Sequence, residues 1–248
     1  MKAMVFAAGL GTRLRPLTDS MPKALVPVCG SPLLAHILRK LRAAGYTEAV
    51  VNVHHFSEQI RDYLANHDFG LKVSISDESG SLLETGGGIR RAKPLLEPLD
   101  EPFLAHNVDI ISNADLEGLR KQTRSNALAT LLVSERESSR YLLLNPDDLS
   151  LVGWMNIKTG QLRSPYPDLD PEKCLRRAFS GIQLLSPSIF DAFDALEMPE
   201  RFSIMDFYLQ ACDRYPIYGI SDPNLTLVDV GKFDTLAEAE RICSALCQ

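Results

Sequence analysis

Ala3-Met4-Val5-Phe6-Ala7-Ala8, opening into Gly9-Leu10-Gly11-Thr12-Arg13-Leu14-Arg15-Pro16 and then Pro22-Lys23-Ala24-Leu25-Val26-Pro27-Val28, is the stretch whose reading decides the fold. Its apolar run is of the kind that makes a buried strand. A glycine turn after such a strand lets backbone N–H groups approach an anion, because no Cβ stands in the way. Arg13, Arg15 and Lys23 put three cations within reach of the same place. Two readings stand: a polyphosphate cradle at the end of the first strand of an α/β domain, or an ordinary strand-to-loop turn. The stretch lacks the Gly-Lys-Ser/Thr of a P-loop, and Arg13-Leu14 replaces the third glycine of a dinucleotide fingerprint. Pro16 and Pro22 predict a long shaped loop in place of a helix springing from the turn.

Working outward, Ser31-Pro32 predicts a helix start, with Leu34, Ile37, Leu38 and Leu41 at helical spacing up to Gly45. Glu48 to Val53 reads as a strand, Ser57 as the cap of a second helix and Leu71 to Ser76 as another strand. Repeated strand and helix is the grammar of a parallel sheet. His54 and His55 follow the second strand and are read as loop or packing residues, since adjacent side chains of an extended chain diverge.

Three further stretches carry chemistry. Leu82-Leu83-Glu84-Thr85-Gly86-Gly87-Gly88-Ile89 holds three successive glycines, poor helix or strand material. It reads as backbone pressed against a ligand or as a flexible connector, with a helix continuing from Ile89 to Leu96. Pro102 to Asp109 is an apolar strand ending in a carboxylate, and Leu225 to Lys232 is a strand ending in Asp229-Val230-Gly231. Either aspartate could be a functional acid or a helix cap. Asn113 and Asp115 open the helix of Leu116 and Leu119, and Asp115 is read as a cap.

Residues 127–134, 141–144 and 149–156 read as a meander of strands, so the sheet becomes mixed there. The segment 157–173 is broken by Gly160, Pro165, Pro167 and Pro171 and reads as loop. A strand over 178–185 and helices over 187–193, from Ser203 and through Leu236, Ala239, Ile242 and Leu246 complete the chain.

With 248 residues, net charge −6 and an isoelectric point near 5.4, the chain shows no basic face for nucleic acid or anionic lipid. The start is too short in apolar residues for a signal-peptide core and no run reaches membrane-spanning length, so a cytoplasmic location is expected. Five cysteines without a Cys-x-x-Cys pair predict free thiols and no structural zinc.

The run from Met4 to Leu38, with Glu84-Thr85-Gly86-Gly87-Gly88, Asn107-Val108-Asp109, Ser180-Gly181-Ile182 and Val228-Asp229-Val230-Gly231, resembles the sugar-1-phosphate nucleotidyltransferases. That resemblance implies a Rossmann-like GT-A fold, α/β with a central mixed, mostly parallel sheet flanked by helices. It implies one domain over 1–248, binding nucleotide with about 1–125 and sugar phosphate with about 126–248.

The same resemblance implies transfer of a nucleotidyl group from a nucleoside triphosphate to a sugar 1-phosphate, in a monomer or homodimer using Mg2+. It assigns catalysis to Arg13, Lys23 and Asp109, and nucleotide contacts to Ala8, Gly9, Gly11, Thr12, Arg13, Lys23, Glu84, Thr85, Gly86, Gly87 and Asn107. Asp109 and Asp229, 120 positions apart, become the metal ligands. Gly181, Lys158, Arg177 and Asp206 are the candidates for the sugar phosphate, with Lys173 and Arg176 as further basic candidates. Val108 departs from the family's Asn-Gly-Asp and narrows the space beside the sugar.

The Glu-Thr-Gly-Gly-Gly form is similar to that of uridylyltransferases, which favours UTP with a hexose, N-acetylhexosamine or N-acetylmuramate 1-phosphate. GTP with mannose 1-phosphate, a cytidylyl transfer to phosphocholine, and a non-catalytic nucleotide-sugar sensor are the alternatives.

Overall fold

The computed structural model describes residues 1–246. The first half alternates β1 (Lys2–Phe6), the short hairpin β2 (Pro27–Val28) and β3 (Ser31–Pro32), α1 (Leu33–Ala43), β4 (Glu48–Val53), α2 (Ser57–Ala65), β5 (Lys72–Asp77), α3 (Glu84–Leu96) and β6 (Phe103–Asn107). β6, β1, β4 and β5 pair in parallel in that order, Ala3 lying between Ala49 and Leu104. β1 is buried on both faces, Ala3 and Val5 packing with α1 and Met4 with α3 and the Phe103–Phe207 cluster. That two-sided burial is why the strand reads as an unbroken apolar run.

The second half holds β7 (Ile110–Ser112), α4 (Leu116–Gln122), β8 (Ala129–Ser134), β9 (Arg140–Leu144), β10 (Leu151–Asn156), β11 (Gln161–Arg163), β12 (Leu175–Leu185), α5 (Ile189–Ala195), α6 (Ile204–Ala211), β13 (Ile217–Ser221), β14 (Leu227–Asp229) and α7 (Phe233–Leu246). The long β12 joins the halves: its end pairs antiparallel with β6 and its start with β9, β8 pairs antiparallel along its other edge, and β13 adds to β8 in parallel. The result is a ten-stranded mixed sheet, with β7 and β14 forming a separate antiparallel pair. Asp115 caps α4 by accepting from the Gly118 N–H at 2.9 Å, as read from the sequence.

Three expectations are corrected. Ser31-Pro32 is not a helix cap: Val28 pairs with Ser31 in the β2–β3 hairpin, and α1 starts at Leu33. The glycine triplet is neither loop nor connector but the opening of α3, which begins at Glu84. A Cβ on Gly86 would run into the Phe202 ring, one on Gly87 into the Glu200 carbonyl oxygen, and one on Gly88 would lie 2.8 Å from Glu78 Oε1. Close packing on three sides, not ligand contact, sets the glycines there and overrides their weak helix propensity. Finally, 157–173 contains the strand β11 beyond a turn at Gly160, whose φ is +72°.

Arg90 of α3 locks the segment before α6. Its guanidinium donates to the Met198 and Pro199 carbonyls at 2.8 and 2.9 Å and lies 5.1 Å from the Phe202 ring centroid. Thr85 Oγ1 accepts from the Ile204 N–H at 2.9 Å, so α3 and the start of α6 form one wall of the cleft. Among the described residues no helix is long and apolar enough to cross a membrane. Cys29, Cys174 and Cys212 are free thiols, and Cys247 lies outside the described residues.

Candidate active site

The cleft lies beyond the carboxyl ends of β1, β4 and β6, where α/β sheets place their ligands. Asn52, at the end of β4, ties the neighbouring loops together. Its Oδ1 accepts from the Ala7 N–H and its Nδ2 donates to Glu78 Oε1, each at 2.7 Å. Burial pushes the Glu78 carboxyl up from its ordinary range, and the hydrogen bonds from Asn52 and Leu83 oppose that rise.

Gly11 adopts φ +64°, and a Cβ there would lie 2.9 Å from Thr18 Cγ2. The loop is held in turn by Thr18 Oγ1 donating to the Gly11 carbonyl at 2.8 Å. Beside Gly9 the Cβ direction is empty to 4 Å, leaving backbone open for a ligand to approach.

A cavity of ≈ 360 Å³ opens here between Gly9, Gly11, Arg13, Lys23, Asp109 and Gly231. The Lys23 ammonium contacts the Asp109 carboxylate. Asp109 and Asp229 are drawn together by the β7–β14 pair, in which Asp229 lies opposite Ile110 and the Val230 N–H donates to the Asp109 carbonyl at 2.8 Å. A Cβ on Gly231 would meet Asp229 Oδ1 at 2.8 Å and an Arg13 guanidinium nitrogen at 3.0 Å, so Arg13 and Asp229 crowd one small space.

Asp229 is exposed as a residue, and its carboxyl lies in the space it shares with Arg13. Partial desolvation of that carboxyl among its neighbours raises it above the usual range, as does the charge of Asp109, against the opposing pull of Lys23, Arg13 and Arg136. Two like charges in one cleft, both hard oxygen donors, suit a divalent cation that completes its shell with water and phosphate oxygens. Among the described residues no group of three or more His, Cys, Asp and Glu side chains forms a denser metal cage.

Two cavities continue from the first. One, ≈ 360 Å³, is lined by Ala8, Gly9, Asn52, Glu78, Thr85 and Asn107 among others. The other, ≈ 600 Å³, spreads over the β9–β10–β11 face and takes in Arg136, Arg140, Trp154, Arg163, Phe179 and Asp206. Asn107 and Thr85 line both, and Gly9 and Asp109 line both of the smaller ones, so the cavities form one cleft.

The residues singled out in the sequence divide accordingly. Ala8, Gly9, Gly11, Thr12, Arg13, Lys23, Glu84, Thr85, Asn107 and Asp109 all line this cleft. Gly86 and Gly87 do not: both N–H groups donate to the Phe202 carbonyl, at 2.9 and 3.2 Å. Gly181, φ +76°, sits against Asn107, where a Cβ would lie 2.7 Å from Nδ2. Lys158 is exposed on the β10–β11 turn, Arg177 pairs with Glu135 at 2.7 Å, and Lys173 and Arg176 pair with Asp170 and Glu172, all outside the large cavity. Asp206 lines it and holds Arg163 at 2.7 Å.

Sequence reasoning missed Arg136, Arg140 and Arg163. Arg136 lines the large cavity, donates to the Phe179 carbonyl at 3.0 Å and acts through its charge on the Asp229 carboxyl. The turn signal of Gly160 was the clue available for β11 and hence for Arg163.

Residues 2–155 match the model of the family described as nucleotidyl transferase. An N-acetylmuramate α-1-phosphate uridylyltransferase of Neisseria meningitidis is 32% identical over 251 residues, covering 99% of each chain. A mannose-1-phosphate guanyltransferase of Gibberella zeae is 35% identical over 145 residues, 57% of this chain and 40% of that one. The solved inositol-1-phosphate CTP transferase of T. maritima superposes over 100% of this chain and 96% of its own, with TM-score 0.78 and 16% identity, a likeness of fold. With the phosphate-suited loop, the paired carboxylates and the mixed sheet in place, these matches establish that the chain belongs to the nucleotidyl transferase family, with the GT-A-like fold and the general reaction of nucleotidyl transfer to a sugar 1-phosphate.

Proposed function

We propose that the protein is a Mg2+-dependent transferase that joins a nucleoside monophosphate unit, from UTP by preference, to a hexose, N-acetylhexosamine or N-acetylmuramate 1-phosphate. The observation that carries this is the convergence of Asp109, Asp229, Lys23 and Arg13 beside the open backbone of Gly9. The full-length likeness to a uridylyltransferase and the Glu84-Thr85-Gly86 form support UTP over GTP.

In the reaction an oxygen of the sugar phosphate bonds to the α-phosphorus while the bond to the β-phosphate oxygen breaks, and pyrophosphate leaves with the electron pair. The nucleophile is ionised near neutral pH, so no general base is required. The chain's work is alignment and neutralisation of charge. Lys23 and Arg13 face the growing charge of the pyrophosphate, and Arg136 holds the incoming 1-phosphate next to Asp229. Mg2+ held by Asp109 and Asp229 would supply further charge neutralisation and a common anchor for the phosphates.

The test is pyrophosphate release from each of four nucleoside triphosphates mixed with a panel of sugar 1-phosphates and phosphocholine, with and without Mg2+. Release with UTP and an amino-sugar phosphate, abolished by chelation, is expected. Release only with GTP and mannose 1-phosphate would transfer the assignment to the guanylyl reading, and no release in any combination would reject turnover.

A further inference from the structure

We propose that Lys40 of α1 is a positioning residue for the metal-suited pair: by gripping Ser112 it fixes the β7–β14 ribbon, and so sets where Asp109 and Asp229 stand relative to Lys23. This deepens the transferase reading and rests on it.

The two acids hang on a slight piece of structure. β7 and β14 have three residues each and pair with one another outside the ten-stranded sheet. A two-stranded ribbon is marginal in water unless something else holds it. Asp109 immediately precedes β7 and Asp229 ends β14, so a shift of the ribbon moves both carboxylates. Ile111 and Val228 oppose one another and are buried in the core that also takes in α1 and α7. Apolar burial of that kind is non-directional: it keeps the ribbon down without stopping it from sliding.

Lys40 supplies the direction. Its Nζ donates to the Ser112 carbonyl at 2.6 Å and to Ser112 Oγ at 3.3 Å, which in turn accepts from the Ala114 N–H at 3.4 Å. A lysine in the last turn of a helix ordinarily serves its own helix's carbonyl ends. Lys40 occupies that turn of α1, yet both of its hydrogen bonds go to a residue 72 positions further along the chain. Burial pushes the ammonium down to about 8 against the pull of the Asp115 charge, so the cation is kept there at a cost.

The other end of α1 is tied to the phosphate loop. The Leu33 N–H donates to the Val26 carbonyl at 3.0 Å, and the Val26 N–H to the Lys23 carbonyl at 3.1 Å. Seven residues of helix, about 10 Å, separate Leu33 from Lys40. α1 is therefore a strut with the Lys23 segment at one end and the acid-bearing ribbon at the other.

Lys40→Met keeps the stem and removes the donor and the charge. Mn2+, which suits the same carboxylate ligands, is added to the protein alone and followed by loss of the free-ion EPR signal. The variant should bind it about tenfold more weakly than the wild type, the effect of losing a group that orients metal ligands. Lys40→Arg restores a charged donor and should come within threefold of wild type. The direction is decisive, since a cation acting through its field alone repels a divalent ion and its removal would tighten binding.

Tighter or unchanged Mn2+ binding by Lys40→Met overturns the assignment, and a lowered Tm with unaltered affinity marks a residue that only stabilises. Should Lys40→Met not fold, Lys40→Gln carries the comparison: its neutral amide ends one bond short of the ammonium and should weaken Mn2+ binding several-fold, equal binding again overturning the role. Absence of Mn2+ binding by the wild type, or wild-type affinity in Asp109→Asn, defeats the metal-dependent reading itself and this assignment with it.

Discussion

Replacing Lys23 by methionine removes the cation at the centre of the cleft while keeping most of its volume. The Lys23 side chain is 10% accessible and that of Asp109 20%, so the pair sits neither in bulk water nor in a dry core. At an effective dielectric near 20, two unit charges about 4 Å apart interact by about 4 kcal/mol. Charge that grows on the departing pyrophosphate would lose a similar interaction, of which removal of one positioned donor typically costs about 3 to 4 kcal/mol. Lys23→Met should therefore lower kcat by about 100- to 1,000-fold, with a much smaller change in KM for the triphosphate, because the lost interaction strengthens only in the transition state.

The same variant leaves Asp109 facing Asp229 without its counter-charge. Because the pair is partly solvated, the stability loss is discounted to about 1–2 kcal/mol, or a few degrees in Tm. Divalent cation should restore more Tm to the variant than to the wild type, since the ammonium no longer competes for Asp109. Steady-state kinetics at saturating Mg2+, with melting curves in and out of Mg2+, measure both effects. A kcat within threefold of wild type would refute the reasoning, as would equal stabilisation of the two proteins by Mg2+.

Asp109→Asn keeps the shape and removes a metal ligand, so titration calorimetry of Mg2+ in the presence of a non-hydrolysable triphosphate should show affinity reduced by about tenfold or more; equal affinity excludes Asp109 from the shell. Burial pushes the His106 imidazole down to about 4, Nδ1–H donating to the Asn107 carbonyl at 2.7 Å while Nε2 has no partner. With its folded pKa below the unfolded value of about 6.5, the stability it contributes is present above pH 6.5 and is lost as pH falls toward 4, about 2 kcal/mol by pH 5. His106→Leu should remove that part of the loss in urea unfolding at pH 7 and pH 5, and an identical loss in both proteins would rule the residue out. Gly86→Ala drives a methyl into the buried Phe202 ring, so overpacking of about 1–3 kcal/mol should outweigh the roughly 1 kcal/mol gained in helix propensity. Its Tm should fall while KM for the sugar phosphate rises, and an unchanged Tm would mean that the loop before α6 yields freely.

The central sheet was legible because burial on both faces leaves largely apolar runs in β1, β4 and β6 and because helical spacing in α1 is strict. Local pattern failed where tertiary approach decided the outcome. Gly86, Gly87 and Gly88 are weak helix formers taken singly, yet α3 requires them because an aromatic ring, a carbonyl oxygen and a carboxylate occupy the space of three Cβ atoms. Nothing within 82–89 announces those neighbours, two of which come from residues 200 and 202. The same limit hid β11, a three-residue edge strand that pairs with β10.

For the site, the contrast between the two ends of the cleft has a physical cause. The phosphate end needs backbone that approaches closely and acids beside a cation, and such demands leave fixed residue types at the ends of strands: Gly9, Gly11, Lys23, Asp109, Asp229. The sugar end demands only that some long basic side chain reach a given point, and a guanidinium on a flexible stem can do so from many backbone positions. Lys158 and Arg177 were therefore as plausible from sequence as Arg136, Arg140 and Arg163. What separates them is register: Arg177 shares the cavity-facing side of β12 but turns to Glu135, while Arg140 and Arg163 are carried by the β9–β11 face on either side of Trp154. Chemistry at the phosphorus is thus written in residue identity, whereas choice of sugar is written in strand pairing, and a substitution that slips the β10–β11 register by one residue would turn Arg163 to the opposite face.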